Sequence, residues 1–145
     1  KLPEAADDRR IYTSKDIDFE GAAQTARRAG DLLGGQVRIP EMDHATPNTG
    51  IVLFEDDEGV TREIDFLGQP GGLTARDVRD TAVRIVVETK EGSDVPVLVM
   101  HPERCMESRI FNVMELRQRG PIAMDELRRS VTCAREYSLY LLHAE

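Results

Sequence analysis

The sequence predicts an α+β protein, with a mixed β-sheet of five to seven strands, helices over one face and a helical pair at the C-terminus. Three observations carry that expectation. The stretches Lys15–Phe19 and Arg62–Leu67 alternate polar and apolar side chains at period two, as half-buried strands do. Val83–Glu88 and Val95–Met100 are apolar and β-branched, which also suits strands. The last third of the chain changes to helical spacing. With 145 residues, 40% of them hydrophobic and 32% charged, the chain has enough apolar material for one folded domain over 1–145.

Residues 1–10, with Pro3 and Asp7-Asp8-Arg9-Arg10, read as a polar arm, and Ile11–Glu20 as the first strand. Gly21–Leu33 follows as a helix with Ala22, Ala26 and Ala29 on one face and Arg27-Arg28 on the other; Gly34-Gly35 closes it. Gln36–Pro40 is a short strand and Glu41–Asn48, holding Asp43, His44 and Pro47, a loop. Thr49–Phe54 and Val60–Leu67 form a hairpin around Glu55-Asp56-Asp57-Glu58-Gly59, whose acids read as a solvated turn. Gln69–Leu73 is a connector; it lacks the Lys-Ser/Thr of a phosphate-binding loop. Thr74 is placed to cap a short helix, Thr74–Asp80, with Asp77 in its first turn. Lys90–Asp94 turns between the two β-branched strands. Pro102 opens a helix with Met106, Ile110, Val113, Met114 and Arg117 at helical spacing, ending at Gly120. Pro121 restarts the chain into a long helix over Ile122–Ala144, with Leu127, Val131, Ala134, Ser138, Leu141 and Leu142 on its expected buried stripe.

A net charge of −8 argues against a broad nonspecific nucleic-acid surface. Four phenylalanines, three tyrosines and no tryptophan leave little for a base-stacking platform. Cys105 and Cys133 fall in helical segments without metal-ligand spacing, so both read as reduced, buried thiols, which suits a cytoplasmic protein. No signal peptide or membrane span is visible. The first residue is Lys1 rather than methionine, which leaves room for a further N-terminal segment.

The chemistry concentrates in Thr13–Phe19. On a strand, Asp16 and Asp18 share one face while Ile17 and Phe19 bury on the other. Two adjacent carboxylates repel, and a divalent cation between them removes the repulsion; Mg²⁺ is commonly held by one or two carboxylates together with water and phosphates. Asp65, in the second alternating stretch, is placed to join them on a neighbouring strand. The competing reading is an exposed strand end paired with Lys15 or Arg62. His101 reads as a helix-start capping or packing residue.

Lys15-Asp16-Ile17-Asp18-Phe19 followed by Glu63-Ile64-Asp65-Phe66 resembles the acid triad of the DNA polymerase β-like nucleotidyltransferase superfamily. The run His101-Pro102-Glu103-Arg104-Cys105-Met106-Glu107-Ser108-Arg109 is similar to a His-Pro segment and Ser-Arg helix of its bacterial toxin-type branch. The resemblance covers residues 10–115 and implies a nucleotidyltransferase-like sheet. It implies transfer of NMP from an NTP to an acceptor hydroxyl on an RNA, a protein or a small molecule. Asp16, Asp18 and Asp65 would be catalytic and would hold Mg²⁺ or Mn²⁺, with Lys15 and Arg109 contacting the nucleotide. The carboxylates of the three aspartates are then expected to converge within roughly 4 to 7 Å. The family's glycine pair before the first acids is missing, since Gly34-Gly35 comes after them. Slow or absent transfer with metal binding retained is therefore expected. A non-catalytic binding or regulatory module and a metal-dependent nuclease remain open as alternatives.

Overall fold

The computed structural model describes residues 16–41 and 46–143, with Asp16 by its backbone alone. The arm 1–10, the strand start at Ile11, Lys15 and the loop residues Asp43 and His44 lie outside the described residues. Described elements run β1 (Asp16–Glu20), α1 (Ala23–Leu33), β2 (Gln36–Arg38), β3 (Asn48–Glu55), β4 (Thr61–Leu67), α2 (Ala75–Thr81), β5 (Val83–Glu88), β6 (Asp94–Val99), α3 (Pro102–Met114) and α4 (Pro121–His143). The fold is α+β, and the chain divides into two compact units, Lys1–Gln69 and Pro70–Glu145.

The first unit holds a mixed four-stranded sheet in the order β1-β4-β3-β2, with β1 parallel to β4 and the other pairs antiparallel. Period-two alternation sends Val52, Ile64 and Phe66 to one face, where they meet Ala26 of α1 in the core. Ala29, Val37, Ile39 and Phe54 pack around this cluster. Gly30, buried on the same side of α1, lets the helix close on β2: an added Cβ would sit 2.2 Å from Val37 Cγ2. Gly34 ends α1 in the left-handed region at φ 63, and the Gly35 N–H reaches back to the Gly30 carbonyl at 2.9 Å.

Ile17 and Phe19 were expected to bury, yet they are 56% and 44% exposed among the described residues. The sheet order explains the difference: β1 is an edge strand, and the cluster beneath α1 is drawn from β2, β3 and β4. Phe19 is partly covered by stacking on Phe66, with ring centroids 5.9 Å apart.

In the second unit, Thr74 and Asp77 form a reciprocal capping box at the start of α2. β5 and β6 pair antiparallel as a sheet of their own, so the strands divide four and two rather than joining one sheet of five to seven. Pro96 in β6 has no N–H to give a second neighbour, which confines it to an edge. Ile85, Val86, Val87, Val95 and Leu98 keep much of their surface exposed.

The C-terminal pair is α3 and α4, but two boundaries differ from the periodicity. α3 stops at Met114; the Gln118 N–H takes the Asn112 carbonyl at 3.1 Å, and Arg117 reverses the chain at φ 55. Arg117 is therefore outside the helix. The buried positions of α4 are Ser130 and Ala134, whereas Val131, Leu141 and Leu142 are exposed. Small side chains face inward there, and the hydroxyls of Ser130 and Ser138 donate to the Leu127 and Ala134 carbonyls. Cys133, expected to be buried, is exposed, and Cys105 is half-buried. Among the described residues no helix is long and apolar enough to cross a membrane.

Candidate functional site

The acids are positioned by strand register. Parallel pairing of β1 with β4 sets Asp16 opposite Glu63 and Asp18 opposite Asp65. Directly paired residues on neighbouring strands share a face, so Asp18 and Asp65 stand side by side across about 4.8 Å of sheet. That face is the reverse of the one packed on α1, because the residues between them, Ile64 and Phe66, belong to the core. Asp18 is exposed and Asp65 half-buried.

The row continues across the sheet. Asp65 pairs with Ile51 on β3, and Ile51 with Arg38 on β2. From edge to edge the face therefore reads Arg38, Ile51, Asp65, Asp18. A β-bulge at Thr49 alters the next position: Asn48 opposes Leu67 and Gly50 opposes Phe66. The extra residue switches the alternation, so Asn48 joins the face of Asp65. Its Nδ2 donates to Asp65 Oδ1 at 3.1 Å, which orients that carboxylate. Thr49 itself donates its hydroxyl to the Gly21 carbonyl at 2.5 Å, with the Phe66 carbonyl 3.1 Å away, which fixes the bulge.

Asn48 was not singled out in the sequence, where it closes a loop composition. The one local signal is Gly50 inside an otherwise β-branched strand, a common mark of a bulge. Arg38 carried no signal at all: it is an ordinary polar position of a short strand. Its guanidinium is exposed and donates to Gln36 Oε1 at 3.3 Å; among the described residues it forms no ion pair.

The acidic hairpin turn is occupied with its own structure. Asp56 accepts the Val60 and Glu58 N–H groups and the Arg62 Nε at 2.7 Å. The Val60 N–H, then Arg62 and the Glu58 N–H, hold its carboxyl below the usual value. Arg109 Nη1 lies 3.0 Å from Glu126 Oε2, an ion pair linking α3 to α4 in the second unit. His101 caps α3 by accepting the Glu103 N–H and packs edge-on against Tyr137, centroids 4.9 Å apart. Ser108 is buried in α3.

Two carboxylates on adjoining strands, with an amide fixing one of them, match the oxygen-only donor set that Mg²⁺ accepts. Among the described residues no group of three or more His, Cys, Asp or Glu could hold a metal ion. Comparison of the chain with protein-family models, with curated proteins and with solved structures finds no match.

Proposed function

We propose that the open face of the four-stranded sheet binds a divalent cation and a nucleoside triphosphate, for transfer of NMP to an acceptor hydroxyl. The observation that carries this reading is the parallel register, which pairs Asp18 with Asp65 away from the core. Asp16 joins them by its spacing in the sequence, and Lys15, the residue before it, would contact the triphosphate. Bound Mg²⁺ or Mn²⁺ would supply neutralisation of the triphosphate charge. Asp18 and Asp65 hold the cation; Asp65, oriented by Asn48, also faces the acceptor hydroxyl as the candidate base. Arg109 belongs to the second unit, where it pairs with Glu126, and is given no part in this site. The same face without transfer would serve a non-catalytic binding module.

Thermal unfolding with Mn²⁺ tests the site. At a hundredfold excess over its Kd, a native-state ligand adds about 2.7 kcal/mol. For a protein of this size that raises Tm by about 5–10 °C. The double variant Asp18→Asn/Asp65→Asn should lose the rise. An unchanged melting curve for the natural chain in millimolar Mn²⁺ removes the metal site. Incubation with labelled ATP, CTP, GTP and UTP plus an RNA or protein acceptor then separates an enzyme from a binding module.

A further inference from the structure

The end of the row opposite the acids opens into a cavity of about 320 Å³ lined by Arg38, Ile39, Pro40, Thr46, Asn48 and Ile51. This volume is at the lower end for sites that take small organic ligands. We infer that this cavity receives the nucleobase of the nucleotide whose phosphates lie over Asp18 and Asp65, an inference that rests on the nucleotide reading above. The walls and the polar groups both fit a flat heterocycle. Pro40 and Ile51 offer apolar surface to ring faces, and such surface disfavours a phosphate, whose desolvation it would not repay. Arg38 presents a planar fork of donors suited to acceptors on a base edge. The Asn48 amide is fixed by its bond to Asp65, leaving its carbonyl oxygen as an acceptor. Thr46 Oγ1 accepts the Asn48 N–H at 3.2 Å, which leaves its hydroxyl hydrogen to donate.

The spacing also fits. Arg38 and Asp65 are two strands apart in one row, about 10 Å of sheet, with the apolar Ile51 between them. A nucleotide lying along the row would thus meet carboxylates at its phosphate end and the arginine fork at its base end. Asn48 touches both regions, lining the cavity and holding Asp65.

The test uses the full chain labelled with ¹⁵N and no metal. Adenosine, guanosine, cytidine and uridine are titrated separately, with ribose and inorganic tripolyphosphate as controls. At least one nucleoside should shift the amides of Arg38, Ile39, Thr46, Asn48 and Ile51, and neither control should. Arg38→Ala should weaken that nucleoside about tenfold. Arg38→Lys, which keeps the charge and loses the fork, should weaken it as well. No shift with any nucleoside overturns the inference. So do equal shifts with tripolyphosphate, or unchanged affinity in Arg38→Ala with the rest of the spectrum intact. Nucleoside shifts in a chain that Mn²⁺ does not stabilise would uphold the base cavity and sink the metal site, so the two failures are told apart.

Discussion

Replacing Gly30 by alanine sets two effects of opposite sign against each other inside α1. Alanine is the better helix former by about 1 kcal/mol, so an exposed site would gain stability. At Gly30 the added methyl would sit 2.2 Å from Val37 Cγ2, far inside contact distance. Forcing a methyl into a packed interface costs about 1–3 kcal/mol, so the clash wins and Gly30→Ala should destabilise by up to about 2 kcal/mol. Val37→Ala removes the two methyls and costs at most about 1.6 kcal/mol by itself, at about 0.8 kcal/mol per fully buried carbon, because Val37 is half-buried. In the Val37→Ala background the obstruction is gone, and adding Gly30→Ala should now stabilise. The coupling between the two changes should therefore reach about 2 kcal/mol, at the upper part of the range for touching residues. Urea unfolding of the four proteins, followed by circular dichroism, gives the cycle directly from midpoints at constant slope. Additive effects, or a Gly30→Ala protein more stable than the parent, would refute the packing of α1 on β2 and with it the positioning of the sheet face.

Three other outcomes follow from local geometry. Thr74→Ala removes the capping box of α2 and should cost about 1 kcal/mol, read as a lower urea midpoint. Arg117→Gly relieves a left-handed residue at φ 55 and should raise Tm by a few degrees, since that conformation costs about 1–2 kcal/mol for a residue with a Cβ; a fall in Tm would mean the arginine side chain has a use that outweighs the strain. The Asp56 carboxyl is depressed in the fold, so its contribution to stability is full above the unfolded value of roughly 3.9 and is lost as pH falls through the lower folded value. Carbon-detected titration should place its midpoint below that of an unfolded peptide, and Arg62→Gln should move it upward.

Local patterns were enough to read much of this protein. The strands at Asp16–Glu20 and Thr61–Leu67, the Gly34 stop and the Thr74 cap each depend on residues within one element and are found where the residues call for them; the two C-terminal helices are found as well, though α3 ends at Met114 rather than Gly120. The sequence also singled out Asp18 and Asp65, because a period of two is enough to say that a carboxylate and its apolar neighbours point to opposite sides. Asp65 was also expected on a strand beside Asp18, and the two strands are neighbours. The parallel sense of that pairing, its register and the place of Arg38 at the end of the same row depend on non-local pairing free energies among strands far apart in the chain. The bulge at Thr49 changes the face of Asn48 by inserting one residue, an event visible only against a partner strand. Burial divided in the same way. Ile17, Phe19, Leu141 and Leu142 are apolar at sound spacing, but exposure is settled by what packs over an element, and the core beneath α1 forms from β2, β3 and β4, leaving the edge strand β1 open. Tertiary structure alone decided the row of Arg38, Ile51, Asp65 and Asp18, since side chains on four strands can act together only once the ladder has brought them within reach.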